Sequence, residues 1–241
     1  CQASIVAVCV SQVGLGQLMY ADPEVVTELD RAARDACQAV KDRADEAGVP
    51  CEVVVHEDEE VFQPIVAEAE ARQADAIVMG RRGRRGLMRL LMGSATALAI
   101  GHAPCSVFVV PRDGKLVGKT LLVASDGSPD SERAAQEAVR LAACTEGRIV
   151  ACSVAHGDID QSSARAYAES VQELARARDV KADIVTAQGT PYEEIVRLAK
   201  EHDADLLVVG THGRGGLKKL LMGSVAERVI ALAPCSVLVV K

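Results

Sequence analysis

One stretch of this chain occurs twice. Residues 74–110 and 204–240 align without a gap at an offset of 130 and agree at 21 of 37 positions. Units of about 20–45 residues that stack directly make solenoids, and this offset is too long for that. It describes two copies of one domain in tandem, and 241 residues accommodate two domains of ordinary size. The expected boundaries are 1–112 and 118–241, joined by a short polar linker in RDGKLVG.

The second copy shows the pattern of elements most clearly. Residues 119–125 form an apolar run that ends in the turn signal Asp126-Gly127-Ser128-Pro129. Apolar residues at helical spacing follow over 131–144, then a strand over 148–155 and a helix over 161–178. Residues 181–187 alternate like a strand, and Thr190-Pro191 opens a helix with Thr as cap and Pro at its first position. Residues 205–209 are continuously apolar, as a strand buried on both faces must be. A helix over 224–232, stopped by Pro234, and a strand over 236–240 complete the copy. Strands alternating with helices imply an α/β fold with a doubly wound parallel sheet and right-handed crossovers.

The first copy follows the same order but begins late. Its opening strand, 4–10, matches the second strand of the other copy, and nothing corresponds to 119–144. The chain also starts with Cys rather than Met. The expectation is that the native protein carries the missing strand and helix ahead of residue 1, so that its intact mass exceeds 25.4 kDa.

Composition narrows the function. The formal charge is −7 and aromatics make up 2% of residues, with no Trp. A net acidic chain without stacking faces is not expected to bind nucleic acid. No apolar stretch approaches the length of a membrane span. Mean hydropathy of +0.13 and 49% hydrophobic residues call for a large core. Eight cysteines show no zinc spacing, and Cys9, Cys105, Cys152 and Cys235 sit in apolar runs. They read as small buried hydrophobes in a reducing compartment, with a cytoplasmic location. Arg81, Arg82, Arg84, Arg85 and Arg89 form a basic run that reads either as a solvated face or as a phosphate contact.

Each copy carries a strand, a glycine-rich loop and a helix. The loop reads Gly210-Thr-His-Gly213, nine residues, then Gly223-Ser224; in the first copy it reads Gly80-Arg-Arg-Gly83, nine residues, then Gly93-Ser94. In an open α/β sheet ligands bind beyond the carboxyl ends of the strands. A helix N-terminus there offers free N–H groups that suit phosphate, and glycines permit close backbone approach. Ser224 is placed to cap its helix and to bond a phosphate. Neither a Walker A loop nor a dinucleotide fingerprint is present. No catalytic dyad and no metal-ligand cluster is legible, so no catalytic or metal residue is assigned.

The G-x2-G-x9-G-S loop, the V-A-x-D-G-S strand end at 123–128 and the A-P-C-S-V-x-V-V ending resemble universal stress proteins of the UspA type. The likeness covers both copies. It implies two tandem five-stranded parallel sheets of order 3-2-1-4-5, adenine nucleotide alpha hydrolase-like, the first lacking its initial strand and helix. In that order the missing strand is central, so its omission would split the first sheet.

The resemblance also implies that ATP is the ligand, with Mg²⁺ or Mn²⁺ carried on its phosphates, and that the protein is a nucleotide-dependent stress-response regulator with little or no turnover. Carried onto the second copy, Asp126 matches the position that contacts adenosine, with Ala124 and Ser125 beside it. Val154 matches an apolar wall for adenine. Val209 and Gly210 begin the loop, His212 lies within it, and Gly213, Gly223, Ser224 and Val225 match ribose and phosphate contacts. Without the loop, Asp126 would read instead as an Asx-type turn or helix cap in D-G-S-P. In the first copy Val10, Gly80, Gly83, Gly93 and Ser94 correspond. There Arg81, Arg82 and Arg85 either strengthen phosphate binding or face solvent or an acidic helix at Glu57–Glu60.

The last strands, 106–110 and 236–240, are nearly identical, apolar and at a sheet edge, which is a liability unless covered. They are expected to pair as an intrachain pseudo-dimer; they leave open whether two chains associate further into a homo-oligomer. The rival functions are a scaffold that binds no nucleotide and a slow ATPase. The segment 125–131 departs from a PP-loop pyrophosphatase at the critical glycines.

Overall fold

A computed structural model of the chain describes residues 3–11, 23–81, 92–114, 116–215 and 222–241. Within it residues Cys1–Gln73 and Ala74–Lys241 form two compact units.

In the smaller unit, β1 (Ile5–Ser11) and β2 (Cys51–Glu57) pair in parallel, from Ile5 opposite Cys51 to Ser11 opposite Glu57. Helix α1 (Pro23–Glu46) connects them and packs on both, and α2 (Phe62–Ala71) follows. Alternation along β1 puts Ala7, Cys9 and Ser11 on one face, and Cys37 and Ala44, seven apart, share a face of α1. Cys9 and Cys37 meet as a disulfide with Cα atoms 6.3 Å apart. This corrects the sequence assignment of Cys9 to a buried thiol: the partner lies 28 residues away on a different element, so no local spacing marks the pair. Arg72 forks onto Glu52 with two bonds of 2.7 Å and onto Glu68 at 2.6 Å, which ties α2 to β2. The expected acidic helix at 57–60 is not formed: Glu57 ends β2, and residues 58–60 are irregular loop that bends toward α2.

The larger unit is built on a seven-stranded sheet. Its strands are β3 (Ala76–Gly80), β4 (Ser106–Val110), β5 (Thr120–Ala124), β6 (Arg148–Ala155), β7 (Ala182–Gln188), β8 (Leu206–Gly210) and β9 (Ser236–Val240). Their order is β3-β4-β9-β8-β5-β6-β7. Taken from β7 to β9, the second copy has the order 3-2-1-4-5, and all of its pairs are parallel. The first copy's strands are divided as expected, β1-β2 in one sheet and β3-β4 in another. Strand β4 joins the large sheet antiparallel to β9, with Val107 opposite Val239, Phe108 opposite Leu238 and Val109 opposite Val237.

The helices of this unit are α3 (Ser94–His102), α4 (Pro129–Thr145), α5 (Gln161–Arg176), α6 (Pro191–Glu201) and α7 (Ser224–Leu232). Helix α4 presents Ala134, Ala135, Ala138 and Ala142 to the sheet, and these small side chains let it lie close over Leu121, Val123 and Val208. Along β5 and β6 the residues are buried on both faces, which is why their sequences run apolar without alternation.

Two devices fix elements that frame the second copy's cavity, one a strand and one a helix. The Asp205 carboxylate accepts the backbone N–H groups of Gly118 at 2.7 Å, Lys119 at 2.9 Å and Thr120 at 3.0 Å, and so sets the start of β5 beside β8. Asp205→Ala removes the acceptor of all three N–H donors at once. It is expected to cost about 2–3 kcal/mol and to lower the melting temperature by about 5–10 °C, with Asp205→Asn recovering part of the loss. Thermal unfolding of the full chain checks this.

The second device is Arg81, whose guanidinium donates to the carbonyls of Ala233 at 2.8 Å and Ile230 at 3.2 Å. A cation at the carboxyl end of α7 complements its dipole. Arg81 is therefore held at a helix end. Arg82, Arg84, Arg85 and Arg89 lie outside the described residues.

Candidate functional site

The strand order of the second copy reverses at β5, whose successor β6 lies on one side and β8 on the other. Such a switch point leaves a crevice at the carboxyl ends of the strands. Here it holds a cavity of about 390 Å³. That volume is within the range of small-molecule and cofactor sites.

Every residue singled out in the second copy lines this cavity. The end of β5 supplies Ala124, Ser125 and Asp126, and β6 supplies Val154. The loop after β8 brings Val209, Gly210, His212 and Gly213, and the start of α7 brings Gly223, Ser224 and Val225. Segments from three distant parts of the second copy thus converge. In the first copy Val10 belongs to the smaller unit while Gly80, Gly93 and Ser94 belong to the larger; Gly83 lies outside the described residues.

The loop owes its shape to close approaches. A Cβ added to Gly210 would lie 2.7 Å from the carbonyl carbon of Asp130, in the first turn of α4. One added to Gly213 would collide with the Asp126 carboxylate. The backbone frame is the same in both copies. Thr211 N–H donates to Val240 at 3.2 Å and Gly223 N–H to Thr211 at 2.8 Å; Arg81 N–H donates to Val110 at 2.8 Å and Gly93 N–H to Arg81 at 3.0 Å. The repeated glycine spacing therefore returns the chain to its strand end to start a helix.

Gly223, not Ser224, is the N-cap of α7, and no side chain caps that end. The same is true of Gly93 and Ser94 at α3. The serines are the first helical residues because an extended glycine already supplies the cap position, with ψ near 145° at Gly223. The first-turn N–H groups of α7 are thereby left to face water or a ligand.

Two aspartates hold the loop from the β5–α4 side. Asp126 accepts from Ser128 N–H at 3.0 Å, an Asx-type turn, and from Arg214 N–H at 2.9 Å. Asp130 accepts from the Thr211 hydroxyl at 2.8 Å and from His212 N–H at 3.0 Å, with Arg133 on its other oxygen at 2.7 Å. Burial by itself raises the Asp130 carboxyl. The bonds from Thr211 and His212, with Arg133 nearby, outweigh it and hold the group below the ordinary aspartate value.

The cavity also contains residues that sequence reasoning missed. Cys152, Pro191 and Ile195 extend the apolar wall around Val154. Burial pushes the Cys152 thiol up to about 12, so it is a neutral wall element. Among the described residues Arg214 is the one lysine or arginine that lines the cavity. Its guanidinium bonds the Tyr167 hydroxyl, lies over the Tyr167 ring, and stands 3.6 Å from Asp158. A Cys in an apolar strand and an Arg in a polar loop carry no local mark of a binding wall, since they face the cavity only after the sheet closes.

The arrangement has an apolar wall, a carboxylate and an uncapped helix N-terminus around one crevice. It offers separate surfaces to a flat apolar ring, a sugar hydroxyl and an anion. Among the described residues no group of three metal-ligating side chains occurs.

Comparison with known proteins agrees with this architecture. The model of the Universal stress protein family matches residues 2–111 and again 118–241. Universal stress protein MJ0531 of Methanocaldococcus jannaschii is 34% identical over 146 residues, 54% of this chain and 86% of that protein. Universal stress protein Rv2005c of Mycobacterium tuberculosis is 29% identical over 240 residues, 92% of this chain and 81% of that protein. A universal stress protein structure from Archaeoglobus fulgidus superposes with a TM-score of 0.75 at 22% identity, over 99% of this chain and 86% of that one.

Proposed function

This chain belongs to the universal stress protein family, and from that premise we propose that its second copy binds ATP and works as a nucleotide-dependent regulatory module with little or no turnover. The observation that carries this is the convergence of β5, β6, the glycine loop and the start of α7 on one cavity at the switch point. Adenine would lie against Val154, Cys152 and Ile195, and the ribose near Asp126. The phosphates would lie along Gly210–Gly213 and the first-turn N–H groups of α7. A bound divalent cation, Mg²⁺ or Mn²⁺, would add charge neutralisation on the phosphates. The lining carboxylates Asp126 and Asp158 are engaged by loop N–H groups and by Arg214 respectively.

The same proposal treats 1–112 and 118–241 as two domains joined through β4 and β9 as an intrachain pseudo-dimer. It includes a cytoplasmic location. No helix among the described residues is long and apolar enough to cross a membrane. Nucleotide state would reach a partner through the loop and α7.

Titration of the full chain with Mg-ATP, followed by calorimetry, tests the reading. Saturable binding is expected, with phosphate release no faster than a no-protein control. Absence of binding at millimolar Mg-ATP would leave the non-nucleotide scaffold as the better account, and fast phosphate release would make the protein an ATPase.

A further inference from the structure

Asp130 does not line the cavity, yet it controls the residues that do. Its side chain is 20% exposed, and one of its oxygens takes both the Thr211 hydroxyl and the His212 N–H. Two residues further along the loop, the Arg214 N–H goes to Asp126. The peptide units between Gly210 and Arg214 are thus oriented at two points by carboxylates of the β5–α4 segment. The His212 ring is drawn to the same side, with Nδ1 at 3.6 Å from Asp130. Fixing polar groups before a ligand arrives reduces the ordering that binding must otherwise supply.

The first copy separates this clamp from the fold itself. Position 81 carries Arg where the second copy has Thr211, and that side chain bonds the carbonyls of Ile230 and Ala233 instead. The backbone frame of the loop persists there all the same, through Arg81 N–H to Val110 and Gly93 N–H to Arg81. The Thr211–Asp130 bond is therefore not what starts the helix or ends the strand.

We propose that Asp130 is a positioning residue for the phosphate-bearing part of the ligand, acting through the Thr211–His212 turn. The proposal rests on the nucleotide reading of the cavity. Its own negative charge is countered by Arg133 and by the two loop donors, so the effect on a bound anion is one of geometry.

The test compares the wild-type chain with Asp130→Ala, Asp130→Asn and Thr211→Val, by Mg-ATP titration and by thermal unfolding without ligand. Asp130→Ala is expected to weaken Mg-ATP binding by about tenfold or more. Asp130→Asn, which keeps an acceptor oxygen, is expected to stay within about threefold of wild type. Thr211→Val removes the same bond from the loop side and is expected to weaken binding several-fold; it decides the matter if Asp130→Ala does not fold. Unliganded melting temperatures of Asp130→Asn and Thr211→Val are expected to stay close to wild type, whereas Asp130→Ala, which strands the Thr211 and His212 donors, is expected to lose a few degrees. Wild-type affinity in both Asp130→Ala and Thr211→Val would overturn the proposal while leaving the nucleotide site intact. So would a loss in Asp130→Asn as large as in Asp130→Ala, accompanied by a matching drop in melting temperature, because that marks a general structural role. A wild type that binds no Mg-ATP would instead sink the nucleotide reading, and this proposal with it.

Discussion

Gly210→Ala is expected to lower Mg-ATP affinity by at least about 100-fold. The added Cβ would lie 2.7 Å from the Asp130 carbonyl carbon and 2.8 Å from its oxygen. Both sides of that contact are fixed. Gly210 ends β8 opposite Val240, and the first turn of α4 is capped by Ser128, which accepts the Ser131 N–H. Neither backbone can yield without moving the loop away from the cavity or α4 away from the sheet. Overpacking of this kind costs about 1–3 kcal/mol, which a domain of this size survives. The variant should therefore fold, with a reduced melting temperature, and fail to bind. Circular dichroism beside calorimetry separates the two effects; a folded Gly210→Ala protein with wild-type affinity would show that the loop does not hold the ligand.

Leu238→Pro is expected to have the largest effect on stability. Leu238 is fully buried at the centre of β9, with Phe108 of β4 on one side and Val208 of β8 on the other. Proline removes a ladder donor and its ring does not fit a central strand, at a cost of about 3 kcal/mol or more. Loss of the leucine's packing adds about 2–5 kcal/mol. The sum is comparable with the whole stability of an ordinary domain, about 5–15 kcal/mol. The seven-stranded sheet should lose its cooperative unfolding transition, and the pairing of β4 with β9 should go with it. An unchanged transition would mean that β9 does not hold the sheet together as described.

What could be read in advance followed from the duplication. Two copies of one pattern identified β3 with β8 and β4 with β9, and continuous apolar runs marked strands buried on both faces. The glycine spacing located the loop, because only short residues allow the approach of Gly210 to Asp130 and of Gly213 to Asp126. The unread features are those in which sequence neighbours carry no information. Arg81 bonds carbonyls about 150 residues away, so its side chain could not be assigned from a basic run. Cys9 and Cys37 sit on a strand and a helix that meet only when α1 packs. Asp130 lies in D-G-S-P-D-S, where a turn and a helix cap already account for an acidic residue; its second use depends on β8 lying beside β5. Ser224 lies one position inside the helix because Gly223 itself takes the extended cap conformation.

The central claim is a nucleotide site in the second copy, and it is tested most directly by counting adenine. The full chain, incubated with Mg-ATP and freed of unbound nucleotide, is denatured and the released base quantified against protein. About one adenine nucleotide per chain is expected. None would contradict the assignment of the cavity between β5, β6, β8 and α7 as an ATP site.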